Sequence, residues 1–288
     1  MPSTTPVTHV SDTALWVAMY RAMETDRPDA HFRDPLARKL AGPRGEEILR
    51  AIPKGKQFAW PMIVRTAVMD EMILQVVREE GADLVLNLAA GLDTRPYRLP
   101  LPRTLRWVEA DFPDILDYKD AQLKGESPRC ALERAPVDLT DAAARRALFQ
   151  RLGASARRVL VVAEGLLIYL TPEQVAGLAQ DLHAQPSFQW WLLDIAHPRL
   201  LKMMERTWGK TLRAANAPFI FAPAESTAFF RPHGWEETVF RPMFEESIRL
   251  ERTFPMARFW RFVMRFYPRK LREEMRRFSG TSLLRRGS

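Results

Sequence analysis

An α/β fold built on a doubly wound, mostly parallel sheet is what this sequence predicts, and three observations predict it. Five candidate strand runs lie at Leu84 to Leu88, Leu105 to Ala110, Ala131 to Val137, Arg158 to Ala163 and Trp190 to Ile195. The first of them is almost continuously apolar, the pattern of a strand covered on both faces. Stretches of helical period separate several of the runs, among them Ala142 to Leu152 and Pro172 to His183. Strand and helix alternating in this way close into a Rossmann-like parallel sheet with helices on both sides.

The elements follow in order. Ser11 to Thr25 carries apolar residues at helical spacing (Ala14, Trp16, Val17, Met19, Tyr20, Met23), and Ser11 or Asp12 can cap it. Pro28 and Asp34-Pro35 interrupt the chain, after which Leu36 to Leu40 and Arg44 to Ile52 read as two short helices. A longer helix is predicted from Pro61 to Glu80, with Pro61 in its first turn and Gly81 as its stop. After the fourth run, Thr171-Pro172-Glu173-Gln174 is a capping box. No repeat or low-complexity linker divides the chain. A single domain over 1–288 is therefore expected: a helical cap at 1–60, a cofactor-binding core at 61–200, and a substrate-side, basic C-terminal extension at 201–288.

Of the 288 residues, 47% are apolar, which supports a full core and excludes a disordered or collagen-like chain. The lone cysteine, Cys130, excludes a disulfide framework and a cysteine-based zinc cluster. Met1 to Val10 lacks the basic and apolar regions of a signal peptide, and no apolar run approaches the roughly 20 residues of a membrane span. A cytoplasmic protein without a metal site is the expectation.

The net charge of +8 is unevenly placed. Arg249 to Ser288 holds 12 basic and 3 acidic residues, while the rest of the chain holds 31 and 32. Charge gives no support for nucleic-acid binding by the body of the protein. Arg258, Arg261, Arg265, Arg269, Arg272 and Arg276 recur every three or four residues, marking one face of a helix or of two helices broken near Pro268. Such a face either points at water from a docked helix pair or recruits an acidic carrier protein or an anionic membrane surface.

In parallel sheets of this kind ligands bind beyond the carboxyl ends of the strands. The first run leads into Ala89-Ala90-Gly91-Leu92-Asp93-Thr94-Arg95, where small residues let backbone approach a ligand. The second ends at Asp111, 20 residues after Gly91, the spacing at which a carboxylate meets the two hydroxyls of an adenosine ribose. Aligned on Gly91, a G-x-G-x-x-G dinucleotide loop would have Ala89 first and Thr94 last, so two of its glycines are missing. A nucleoside without phosphates fits better, and S-adenosylmethionine is one. Asp138 at the third strand end can face an adenine amino group, with Leu139 along the ring. Glu164 at the fourth can pair with a ligand ammonium, and Arg65 on the preceding helix can grip a carboxylate. Each has a plainer reading: Asp111 as a helix cap, Asp138 as a turn residue, Glu164 as a surface group, Arg65 on a solvated helix face.

Taken together, Ser11-Asp12-Thr13-Ala14, Tyr20-Arg21-Ala22-Met23-Glu24, Asp34-Pro35-Leu36-Ala37-Arg38, Asn87 to Leu99 (NLAAGLDTRPYRL), Val108 to Pro113 (VEADFP), Val137-Asp138-Leu139 and Ala163 to Leu170 (AEGLLIYL) resemble the leucine carboxyl methyltransferase family. That family includes S-adenosylmethionine-dependent O-methyltransferases of polyketide biosynthesis. The resemblance implies that Arg65 holds the methionyl carboxylate, that the Ala89–Gly91 loop passes under the ligand, and that Asp111 binds the ribose. It also implies that Asp138 and Leu139 face adenine and that Glu164 lies near the methionyl end. The family usually has glycine where Ala89 stands. If that position needs a positive φ, cofactor affinity should suffer.

The expected activity is methyl transfer to a carboxylate or hydroxyl of a small molecule, such as a secondary metabolite. Protein C-terminal carboxyl methylation and a non-catalytic ligand-binding scaffold are the alternatives. A carboxylate acceptor needs no base, whereas a phenol with its ordinary pKa near 10 does. His197, after the fifth run, is the best-placed base or else a loop residue, and Tyr169 orients the acceptor or merely packs. Acceptor specificity is expected from the helical cap and from Pro198 to Trp235.

Overall fold

A computed structural model describes residues 10–52, 55–214 and 218–287, with no side chains at 10–11 and 208–214. Residues 1–9 of the stretch read for a signal peptide, the Ser11 side chain, and residues 215–217 of the acceptor segment lie outside the described residues.

The chain begins with α1 (Val10–Thr25), which starts upstream of the predicted caps. Asp12 therefore sits inside the first turn, and its carboxylate meets Arg44 at 3.5 Å. The two short helices expected at 36–52 run together as α2 (Ala37–Ala51), bent at Gly42 (φ 57, ψ −171) beside Pro43. Proline removes an N–H and its ring crowds the preceding turn, so the bend falls there. A 3₁₀ turn at Gly55–Phe58 leads into α3 (Ala59–Glu79), which buries Val64, Val68, Met69, Met72, Ile73 and Val76.

The sheet then opens with β1 (Leu84–Leu88), every residue buried. It continues through the single turn α4 (Arg95–Arg98), β2 (Arg106–Asp111), α5 (Pro113–Gln122), β3 (Ala131–Pro136), α6 (Ala142–Ser155), β4 (Val159–Ala163), α7 (Pro172–His183) and β5 (Phe188–Ala196). Asp141 caps α6, its Oδ1 accepting the N–H groups of Ala143 (2.8 Å) and Ala144 (3.1 Å). Thr171 and Gln174 form the predicted capping box of α7.

The sheet does not stop near residue 200. After α8 (Pro198–Ala214) come β6 (Trp235–Pro242), α9 (Met243–Arg249), α10 (Ala257–Met264), α11 (Arg269–Arg276) and β7 (Ser279–Arg286). The strand order is β3-β2-β1-β4-β5-β7-β6, with β7 antiparallel to both neighbours and the other pairings parallel. Sequence reading saw no strand in this C-terminal extension. The reason is composition: β7 enters the core through Gly280, Thr281 and Ser282, all buried, where the ladder satisfies polar backbone without an apolar run.

One apolar core lies between the sheet and α1–α3, the other between the sheet and α6–α7. Within this interior Lys119 donates to Glu109 at 2.8 Å, both fully buried. Arg252, beyond α9, clamps Glu24 of α1 through two bonds of 2.9 and 3.0 Å, tying the C-terminal region to the cap. Among the described residues no helix is long and apolar enough to cross a membrane.

Candidate functional site

The carboxyl ends of β1, β2, β4 and β5 open into one cavity of about 1220 Å³, roofed by α1, α8 and the α10–α11 pair. Arg65, Ala89, Gly91, Asp111, Asp138, Leu139, Glu164, Tyr169 and His197 all line it. The fold thus gathers every site residue singled out in the sequence around a single space.

The loop after β1 is set by two left-handed residues, Ala89 (φ 49) and Gly91 (φ 48). Gly91 accommodates that backbone freely, while Ala89 carries a Cβ into a region costing about 1–2 kcal/mol. The substitution flagged in the sequence therefore falls where positive φ is needed. Ala89→Gly is expected to relieve that strain, offset in part by about 0.4–1 kcal/mol of unfolded-state entropy. The variant should melt slightly higher and bind nucleoside ligands at least as tightly; thermal melts and calorimetry check this, and a lower melting temperature would contradict it.

Asp111, a buried residue, ends β2. Its Oδ2 accepts the Gly91 N–H at 2.6 Å and its Oδ1 the Phe112 N–H at 2.7 Å. It does not cap α5: Phe112 is the N-cap residue and no side-chain cap bond forms. Burial raises the Asp111 pKa, and the two amides only partly oppose that shift. An ionised carboxylate offers about four acceptor positions. Two are filled by backbone, and two are left for paired hydroxyls.

At the other end of the cavity lies a buried ionic cluster. Arg65 Nε donates to Glu164 at 3.0 Å, and its Nη1 donates to Asp194 at 3.2 Å. Arg95 pairs with Glu164 (2.7 Å), Asp93 (2.9 Å) and Asp70 (2.6 Å). Arg98 pairs with Asp70, and Arg21 of α1 pairs with Asp34 at 2.8 Å. Thr94 donates to the same Asp34 oxygen at 2.6 Å, which fastens the cap to the β1 loop. Burial alone would push Glu164 up, but Arg95 and Arg65 outweigh it and hold its pKa below the ordinary value. Asp93 is held far lower in the same way, by Arg95 and Lys119 against its burial. Gly165, with φ 65, leaves room for the Arg65 guanidinium: a Cβ there would sit 3.2 Å from Nη1.

The remaining residues divide in role. Asp138 is exposed, and its Oδ1 accepts the Thr140 N–H (2.8 Å) and hydroxyl (2.7 Å) in a turn, while its Oδ2 makes no hydrogen bond among the described residues. The Leu139 carbonyl accepts from Arg145 at 2.7 Å, leaving the side chain to the cavity. Burial raises the Tyr169 pKa although Thr13 hydrogen-bonds its hydroxyl, and the ring packs 5.6 Å from Phe219. His197 stacks near-parallel on Phe278 at 6.2 Å, and its Nδ1 accepts the Arg199 N–H at 3.1 Å.

Sequence reading assigned no role to Asp70, Asp93, Arg95 or Asp194, though they bind Arg65 and Glu164 into the cluster. Asp93 and Arg95 stand inside the NLAAGLDTRPYRL stretch, and Asp194 lies in the fifth strand run, so their positions were the signal.

The family model described as leucine carboxyl methyltransferase matches residues 14–183. A relative from Parafrankia, provisionally named an S-adenosyl-L-methionine-dependent methyltransferase, is 36% identical over 183 residues, covering 60% of this chain and 58% of its own. Another of that provisional name, from Mycolicibacterium smegmatis, is 34% identical over 194 residues, covering 60% and 62%. The chain thus spans about three fifths of the length of the curated relatives it matches. Among solved structures, a provisionally named methyltransferase from Thermobifida fusca shares the fold with a TM-score of 0.58 at 14% identity, over 98% of this chain and 96% of its own. A DUF574 family protein from Streptomyces avermitilis does so with a TM-score of 0.57 at 15% identity, over 93% and 96%. With the family match extending over more than half of its residues, the chain belongs to the leucine carboxyl methyltransferase family.

Proposed function

We propose that the protein is an S-adenosylmethionine-dependent O-methyltransferase that esterifies a carboxylate on a large, apolar small molecule. The observation that carries this reading is Asp111: a buried carboxylate with two acceptor positions left, beside the loop at Gly91, in the same cavity as the ionic cluster. The chemistry of the donor set fits the cofactor. Asp111 suits a ribose diol, and the outward oxygen of Asp138 suits an exocyclic amine. The cluster of Arg21, Arg65, Arg95 and Arg98 with Asp34, Asp70, Asp93, Glu164 and Asp194 has one more carboxylate than guanidinium. That excess suits a ligand end with an amino acid and a sulfonium, whose net charge is positive. When bound, S-adenosylmethionine supplies an electrophilic methyl group and leaves as a neutral thioether.

The chain's part is to align and desiccate. Ligand cavities usually measure roughly 300–1,000 Å³, so about 1220 Å³ has room for a second molecule beside the cofactor. Met203, Met204, Met243, Phe244, Phe254 and Trp260 also line the cavity, which suits an apolar acceptor. Holding nucleophile and electrophile in line supplies several of the roughly 8–23 kcal/mol that enzymes contribute.

His197 supports a carboxylate over a phenol. Its Nδ1 already accepts the Arg199 N–H, so the neutral ring carries its proton on Nε2 and offers a donor there. A donor steadies an anion, whereas a phenol needs a base. His197→Phe, which keeps the stack on Phe278, is expected to lower kcat/KM for the acceptor about tenfold, the scale of one charge-assisted hydrogen bond. Loss of a general base would cost roughly 10²–10⁴-fold, so an effect that large would replace the donor with a base.

The direct test uses the protein with methyl-labelled S-adenosylmethionine and an extract of the native cell, read by mass spectrometry. Label appearing in an alkali-labile methyl ester of an apolar small molecule is expected. Label in protein termini would point to protein carboxyl methylation, and tight cofactor binding with no transfer to any acceptor would favour a scaffold.

A further inference from the structure

We infer that the α10–α11 segment is a docking surface for an anionic phospholipid membrane. The pair barely enters the core: only Ala257 of α10 is buried, and no residue of α11 is. Phe259, Phe262 and Phe266 recur at i, i+3 and i+7 and stand 54%, 54% and 74% exposed, with Met256 at 65% just before them. Exposed aromatic side chains this close together along α10 and the turn after it are unusual on a protein that meets only water.

Charge decides what covers them. Arg261, Arg265, Arg269, Lys270 and Arg272 flank the aromatic stripe and make no ion pair among the described residues. By contrast, Arg258 pairs with Glu251 and Arg276 with Glu245, each at 2.6 Å. Aromatic rings bordered by unpaired arginines are the pattern of a helix lying in a headgroup layer, with rings dipping below and guanidiniums on the phosphates. The aromatic side chains stand on the outside of a pair that sits on the surface, whereas a partner helix would ask for a groove.

The same pair also borders the cavity. Trp260, Met264, Tyr267, Leu271 and Met275 point to the cavity from the opposite side of these helices. A membrane-dissolved apolar acceptor would then reach the cavity past a wall already seated at the bilayer. That last step rests on the methyltransferase reading, but the docking does not.

The test is flotation of the full-length protein with phosphatidylcholine vesicles, with and without phosphatidylglycerol, at low and high salt. Binding to the phosphatidylglycerol vesicles alone is expected, weakening as salt rises. Reversing charge at Arg261, Arg265, Arg269 and Arg272 to Glu, or replacing Phe259, Phe262 and Phe266 by Ser, should each reduce the bound fraction at least about tenfold. Both variants should bind S-adenosylhomocysteine like the wild type, which shows that they fold and separates this inference from the cofactor reading. The proposal is overturned by no flotation with phosphatidylglycerol, by flotation indifferent to both variants, or by a dimer in sedimentation that the Phe→Ser variant abolishes. Capture of a purified acidic carrier protein by the wild type, with vesicles ignored, would overturn it in favour of that partner.

Discussion

Asp111→Asn is expected to weaken S-adenosylmethionine and S-adenosylhomocysteine binding about 100-fold. The carboxylate offers two charge-assisted bonds to a diol, and exchanging it for an amide loses one acceptor and makes the other neutral, worth about 2–3 kcal/mol together. Stability should behave differently. Burial raises the Asp111 pKa, so the unliganded fold favours the protonated form, and its contribution to stability is lost as pH rises through that raised value. The charge therefore costs the empty protein something at neutral pH, and removing it should change the urea midpoint far less than it changes affinity. Cofactor binding has the opposite pH sign: affinity falls on acidification through the same raised pKa, because the protonated carboxyl accepts fewer bonds. Calorimetry across the acidic range, alongside urea melts, reads both. An unchanged dissociation constant in the variant would remove Asp111 from the site and the cofactor reading with it.

Arg95→Met should have the largest effect on folding. Arg95 is 2% exposed and pairs with Asp70, Asp93 and Glu164, so its loss strands carboxylates in the interior. Breaking a buried pair by removing one partner typically costs about 3–5 kcal/mol. In a chain of this size that lowers the melting temperature by roughly 10 °C. The sign with pH follows from Asp93, whose pKa is held well below its ordinary value; burial opposes this, and Arg95 and Lys119 prevail. Its stabilisation is present above the unfolded-state pKa and is lost as pH falls towards the folded value. In Arg95→Met that acid-side loss should shrink, because the carboxylates are already penalised at neutral pH. Melts at neutral and acidic pH give the comparison, and a variant as stable as the wild type would mean that the cluster contributes no net stability.

The cluster also explains why several sequence stretches, far apart in the chain, form one device. Arg21 comes from the first helix, Asp34 from the turn that follows, Asp70 from the third helix, Asp93 from the loop after β1, and Arg95 and Arg98 from α4. Glu164 and Asp194 come from the ends of β4 and β5. The cap is thus held to the sheet through charge as well as apolar contact. Movement of the cap would disturb residues that line the cavity.

β1 and β4 were legible because strands buried on both faces must be apolar along their length, and Val159–Ala163 could hardly be anything else. The capping box at Thr171 was legible because its bonds are local. The place of Asp111 was legible because a βαβ unit has a nearly fixed span, so 20 residues from Gly91 reach the neighbouring strand end. β7 was not, since Gly280, Thr281 and Ser282 owe their burial to the strands beside them rather than to their own chemistry.

By itself, then, the sequence determined where apolar periodicity makes strands and helices and which carboxylates stand at strand ends, while the positive φ at Ala89 came from the structure. Tertiary structure alone decided that Asp70, Asp93, Arg95 and Asp194 are interior, and that the basic C-terminal helices border the cavity while Phe259, Phe262 and Phe266 stay exposed. The physical reason is range. Backbone period and capping act over a few residues and are written locally, whereas a buried charge is tolerable only if partners from distant segments arrive beside it.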